Sequence, residues 1–208
     1  MDMSKRNLLF ILFILISVSG IFTYFQTLPS LLEKKPTLLS GKILQKPIEI
    51  VDFELIDQDN LRFSNDLLIG KWTVVFFGYT NCPDVCPTTI YKLAGVKEQI
   101  NKDIPSSKLN TVLVTLDPER DNPERLKEYI GYFDETMLGL TGRQEDIQSF
   151  TSSLSVFYQR INKEDGYDFN HTASIFVFNP EGLLFATMSP ANTMAELSED
   201  FSVILSNF

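Results

Sequence analysis

Residues 71–79, KWTVVFFGY, form an apolar run with no polar face to turn toward water. A strand on the surface of a sheet alternates in polarity, so a run apolar on both sides must be covered on both faces, as the central strands of helix-covered sheets are. The cysteine loop TNCPDVCP follows, and residues 88–100 then place Ile90, Leu93, Ala94, Val96 and Ile100 at helical spacing. A second buried run, LNTVLVTLD, precedes NPERLKEYIGYF, where Asn122 suits an N-cap and Pro123 the first helical position. Upstream, IVDFELIDQDNLRFS alternates on either side of the polar residues 57–60, which predicts a β-hairpin. Downstream the pattern predicts a short strand over 137–140, a helix over 144–154 and a strand over 156–161. Two strands then flank the Asn-Pro-Glu-Gly turn of ASIFVFNPEGLLFATM, and a last helix covers about 193–205. The expected fold class is α/β: a thioredoxin-like mixed sheet covered by helices, with an N-terminal β-hairpin extension and one N-terminal transmembrane helix.

The transmembrane expectation rests on residues 8–25, LLFILFILISVSGIFTYF, which carry no charge and follow Lys5 and Arg6. That is close to the length needed to span a hydrocarbon core. The small-x-small pattern Ser17-Val18-Ser19 also resembles a signal-peptidase site, but the apolar run continues to Phe25 and favours a retained anchor. The expected organisation is a cytoplasmic segment over 1–7, an anchor over 8–26, a tether over 27–47 and a globular domain over 48–208. The tether reading comes from Pro29, Pro36, Gly41 and Pro47 without periodicity. Basic residues before the anchor place the domain on the extracytoplasmic side, as in the periplasm of a bacterium with the anchor in its inner membrane. The net charge of −9, with no basic cluster beyond Lys34-Lys35, excludes the electrostatic footprint of nucleic-acid binding.

The only two cysteines, Cys82 and Cys86, have three uses open to them. A disulfide between them closes so short a ring that little unfolded-state entropy is removed, which makes it a poor staple. Thiol exchange is a second use: a helix N-terminus lowers a thiol's pKa, although redox pairs usually have two intervening residues and this chain has three. Metal binding is the third, since two thiolates one turn apart select soft ions such as Cu(I) or Zn(II). The single histidine, His171, precedes a late apolar strand, and in a thioredoxin-like fold it can lie beside the cysteine loop. Cys82, Cys86 and His171 would leave one coordination position open, which suits a transferable ion better than a structural one. Peroxide reduction fits poorly, because Tyr79 and Pro83 stand where that chemistry usually places a Thr three residues before the attacking cysteine.

With FFGYTNCPDVCPTTI, VTLDPERDNPERLKEYI and FNHTASIFVFNPEG in order, the chain resembles the Sco/SenC family of copper-binding proteins that assist cytochrome c oxidase assembly, from about Ile48 to Phe201. The resemblance implies copper ligation by Cys82, Cys86 and His171, as Cu(I) and in some members Cu(II). It implies delivery of copper to the oxidase subunit that carries the CuA centre, or alternatively thiol-disulfide reduction of that subunit's cysteines, with an external thiol reductant restoring the pair. Asp117 lies in a motif expected near the ligands or facing a partner, with capping as the plainer role. Asp84 carries the same ambiguity. Two departures stand out: Asn170 replaces the Asp that many relatives have before the histidine, and Asp59-Asn60 replaces a glycine-containing hairpin turn.

Overall fold

The computed structural model describes residues 12–24, 36–104 and 109–208, and the chain divides into two compact units at Pro36/Thr37. In the first unit residues 12–24 form a helix, α1. Its hydroxyls turn back onto its own backbone, Ser17 to the Phe13 carbonyl and Thr23 to the carbonyls of Ser19 and Gly20. The expected transmembrane helix is corrected here: among the described residues no helix is long and apolar enough to cross a membrane. Residues 8–11 and 25–26 of the expected span, and 27–35 of the expected tether, lie outside the described residues.

The second unit is built on a six-stranded mixed sheet. Its strands are β1 (Gly41–Ile48), β4 (Thr73–Gly78), β5 (Asn110–Thr115), β6 (Leu138–Leu140), β9 (Ile175–Phe178) and β10 (Leu184–Met188), in the order β1-β10-β9-β4-β5-β6. The β4, β5 and β6 strands are parallel, and β9 runs antiparallel to β4. Every residue of β4 is buried, as its unbroken apolar run requires. Its side chains alternate between two cores. Val74 and Phe76 pack on the side of α2 (Val85–Asp103), α3 (Pro123–Gly131) and α5 (Met194–Asn207). Val75 and Phe77 pack with α4 (Gln144–Ser153) and the hairpin of β2 (Glu54–Ile56) and β3 (Arg62–Ser64). Phe53, leading into that hairpin, stacks on Phe150 of α4 with ring centroids 4.0 Å apart.

The caps form where the residue types predict them. Asn122 accepts from the Arg125 amide at 2.8 Å with Pro123 opening α3, and Thr193 and Glu196 make a reciprocal capping box on α5. The hairpin turn survives its missing glycine: Asn60 adopts φ 61°, and Asp57 accepts from the amides of Asp59 and Leu61.

Two segments differ from the sequence reading. Residues 41–48, all but the last within the expected tether, form the edge strand β1, which pairs antiparallel with β10 from Gly41 opposite Met188. A Cβ on Gly41 would stand 2.2 Å from the Thr187 carbonyl oxygen, so only glycine allows that approach. Just before it, the buried Asp200 of α5 accepts from the amides of Leu39 and Ser40, both at 2.6 Å. The second difference is a hairpin outside the main sheet, β7 (Tyr158–Lys163) paired with β8 (Gly166–His171). His171 is therefore the last residue of a strand absent from the sequence reading.

Candidate metal centre

The parallel strand β4 delivers the chain to the sheet's carboxyl edge, where a loop over 79–84 leads into α2. Cys82 sits in the loop, partly exposed, and Cys86 is the second residue of α2 and fully buried. Both thiols are free. Strand end and sulfur fit closely: a Cβ on Gly78 would lie 2.9 Å from the Cys86 Sγ and 3.1 Å from the Phe76 ring. Residue 78 must therefore lack a side chain for Cys86 to seat where it does.

The two sulfurs divide one proton between them. The Cys86 thiol donates toward Cys82, whose pKa is pushed down to about 3, helped by His171 and by the backbone N–H groups of Cys86 and Asp84 and opposed by partial burial. The Cys86 amide donates to the Cys82 Sγ at 3.4 Å, an anion held at a helix N-terminus. Cys86 is pushed up, first by its bond to Cys82 and then by burial. The resting pair is a half-exposed thiolate beside a buried thiol.

His171 completes the cluster. Its Nε2 lies 4.0 Å from the Cys86 Sγ, and its Nδ1 lies 3.1 Å from the Thr172 carbonyl oxygen. A carbonyl only accepts, so Nδ1 carries a proton, and Nε2 is the ring nitrogen that faces the sulfurs. The imidazole is walled by Phe76 and Tyr79, both edge-on. Among the described residues no group of three His, Cys, Asp or Glu side chains is already closed to metal-ligand spacing. The three residues named from sequence are adjacent, and the hairpin that carries His171 sets their separation.

Asp117 does not touch the sulfurs. It is buried, bonds to Arg120, and accepts from the Tyr167 hydroxyl at 2.8 Å. Tyr167 belongs to β8, four residues before His171, and its ring lies between the guanidiniums of Arg120 and Arg160 at 3.8 and 3.5 Å. Asp84 occupies the N-cap position of α2, but its side chain is exposed and makes no capping bond.

Three further residues shape the site. Asp121, fully buried, accepts from the Thr80 amide at 2.9 Å and from the hydroxyls of Thr80 and Thr115, both at 2.6 Å, which fixes the loop two residues before Cys82. Tyr79 donates to Asp168 on β8. That carboxyl is held down to about 2 by Lys163 and then by Tyr79, so a second tie joins the cysteine loop to the histidine hairpin. Tyr129 on α3 brings a buried hydroxyl without a partner. Asp121 and Tyr129 stand in the quoted motif VTLDPERDNPERLKEYI, where acid and aromatic positions are visible but their burial is not.

The sequence model of the SCO1/SenC family matches residues 42–206. The chain belongs to the SCO1/SenC family. It is 33% identical over 182 residues to the SCO2-like protein of Rickettsia felis, covering 86% of this chain and 88% of that one. Among solved structures it is similar to Arabidopsis thaliana ScoI with copper bound, at TM-score 0.72 and 31% identity over 75% of this chain and 98% of that one. Bradyrhizobium japonicum ScoI with copper bound gives TM-score 0.67 and 34% identity over 74% and 98%. This family fold is thioredoxin-like, and the Cys82–Cys86–His171 cluster lies inside the matched region.

Proposed function

We propose that this SCO1/SenC protein binds copper through Cys82, Cys86 and His171 and hands it on during cytochrome c oxidase assembly, to the subunit that carries CuA. The observation that carries the reading is the convergence of the imidazole Nε2 on the Cys86 sulfur at 4.0 Å, across 85 residues of sequence. Bonds of ~2.3 Å to sulfur and ~2.0 Å to imidazole nitrogen, the values for a comparable soft ion, put the two donors about 3.7 Å apart in a trigonal centre. Closing that gap needs only a few tenths of an ångström. The donor set suits Cu(I), and the copper-bound relatives share the fold.

The geometry also suits release. Cys82 is the exposed ligand, so an acceptor's thiolate reaches the ion beside it while Cys86 and His171 still hold on. Loading places copper on both sulfurs and sends the Cys86 proton to solvent. Oxidation of the pair to a disulfide removes two electrons and the one proton the pair shares, and with them both sulfur donors. An external dithiol that returns those electrons, itself becoming a disulfide, keeps the protein competent on the extracytoplasmic side.

One observation favours a second reading, thiol-disulfide exchange with the oxidase subunit: Cys82 is a half-exposed, low-pKa thiolate with a resolving thiol beside it. Anaerobic Cu(I) titration of the reduced full-length chain against a chelator separates the two, with Cys82→Ala and His171→Ala in parallel. Copper binding predicts one tight equivalent that both variants lose. Wild-type affinity in His171→Ala refutes the three-ligand site, and no binding with retained disulfide reduction establishes the second reading.

A further inference from the structure

Tyr79 is where the cysteine loop and the histidine hairpin grip each other. Its ring, only 2% exposed, stands edge-on to Phe169 and to His171, with centroids 5.3 and 6.0 Å apart. Those two residues lie two positions apart on β8 and so share one of its faces. Beyond the ring, the hydroxyl donates to Asp168, which also pairs with Lys163 of β7. One side chain, three residues before Cys82, thus meets the candidate ligand's ring and is bonded to the strand that carries it.

The hairpin needs such a tie. Two strands outside the main sheet are marginal by themselves. Tyr167 fastens this pair to the β5–α3 connection through Asp117 and Arg120, which leaves the His171 end to be located by other contacts. The contact of Nδ1 with the adjacent Thr172 carbonyl turns the ring but is too local to place the hairpin. We propose that Tyr79 and Asp168 are positioning residues of the metal centre: their hydrogen bond latches hairpin to loop and holds the imidazole at the thiol pair before copper arrives. This deepens, and rests on, the copper-binding reading above. In a site formed in advance the ion's binding energy is not offset by ordering the hairpin, so the latch raises copper affinity without touching the metal.

The test uses the full-length chain with Tyr79→Phe, which keeps the ring, Asp168→Ala, the double variant, and Asp168→Asn, whose amide oxygen still accepts from the phenol. His171 is the only histidine, so its ring protons are read by NMR in the metal-free protein without ambiguity. Tyr79→Phe and Asp168→Ala should each weaken Cu(I) binding about tenfold in anaerobic chelator competition, the scale of one hydrogen bond to a charged acceptor. The double variant should lose no more than either alone, because both substitutions remove the same bond. In both single variants the His171 resonances should move toward those of a solvent-exposed imidazole, and Asp168→Asn should bring resonances and affinity back near wild type. The inference is overturned by wild-type affinity in either single variant, by additive losses in the double variant, by a loss in Asp168→Asn equal to that in Asp168→Ala, or by His171 resonances that stay in place. A wild-type chain that binds no Cu(I) brings down the copper reading, whereas unmoved resonances in a chain that does bind it bring down the latch alone.

Discussion

Replacing Asp121 by alanine should loosen the cysteine loop and destabilise the domain by about 3 kcal/mol. The carboxylate is fully buried and accepts three hydrogen bonds, from the Thr80 amide and the hydroxyls of Thr80 and Thr115. Bonds to a charged acceptor are worth ~1.5–3 kcal/mol each, so the gross loss is about 4–9 kcal/mol. Removing the carboxylate relieves its own desolvation, a compensation of several kcal/mol. Both threonine hydroxyls can rotate toward other acceptors, but the Thr80 amide cannot, and an orphaned buried amide costs ~1–3 kcal/mol. The net is about 3 kcal/mol. With a urea m-value of ~2 kcal/mol/M for a domain of this size, the unfolding midpoint falls by about 1.5 M. Asp121→Asn keeps the volume but leaves one acceptor oxygen, and should fall about half as far. Because Thr80 lies two residues before Cys82, Cu(I) affinity in Asp121→Ala should drop as well. A midpoint within about 0.3 M of wild type at unchanged m-value would refute the claim that this carboxylate anchors the loop.

Gly78→Ala drives a methyl group against the Cys86 Sγ at 2.9 Å, so it should cost ~1–3 kcal/mol of stability by overpacking and weaken Cu(I) binding; wild-type values in both urea unfolding and chelator competition would contradict the packing argument. Cys82, with its pKa near 3 against ~8.5 for a free thiol, should react with iodoacetamide at a nearly constant rate from pH 5 to 8, read by peptide mass mapping, where an ordinary thiol slows about tenfold per pH unit. The same depression is linked to folding: its stabilisation is fully present above the unfolded pKa and is lost as pH falls toward 3, so a metal-free protein whose stability rises on acidification through that window would show the sign to be wrong. Asp200→Ala releases Leu39 and Ser40, and hydrogen exchange should accelerate across β1 while β4 and β5 stay protected; unchanged exchange in 41–48 would show that pairing with β10 alone holds the strand.

What the sequence revealed followed burial. β4 and β5 were legible because strands covered on both faces must be apolar throughout, and α3 and α5 because their caps use characteristic residues. β1 was not, since an edge strand exposes much of its surface and its partner lies some 140 residues downstream, so its Gly41 and Pro47 read as part of a linker. β8, GYDFNH, was hidden for a related reason: the hairpin stands outside the sheet and needs no apolar face. At the N-terminus an uncharged run of 18 residues suggested a span, but among the described residues no helix is long and apolar enough to cross a membrane. The candidate donor types were visible, since the chain has only two thiols and one imidazole. Their spacing was not, because a hairpin that sequence did not predict sets it.

Two acids beside the proposed ligands tie the site into a unit. Asp117 and Asp121 sit four residues apart in one short connection between β5 and α3, and they reach in different directions. Asp121 grips Thr80 and thereby the cysteine loop, while Asp117 grips Tyr167, with Arg120 donating to the Tyr167 carbonyl at 3.1 Å, and thereby the strand that ends at His171. Neither acid contacts a sulfur or the imidazole, yet together they tie the cysteine loop and the histidine strand to one connection. Tyr79 and Asp168 close the frame from the other side. In the proposed three-ligand site an ion tolerates little error in the distance between those segments, so rigidity in the DPERD connection should govern copper affinity as directly as the proposed ligands do. Under the proposed function the partly exposed Cys82, held by backbone amides, its neighbouring thiol and His171, is the position from which an acceptor begins exchange without breaking the frame.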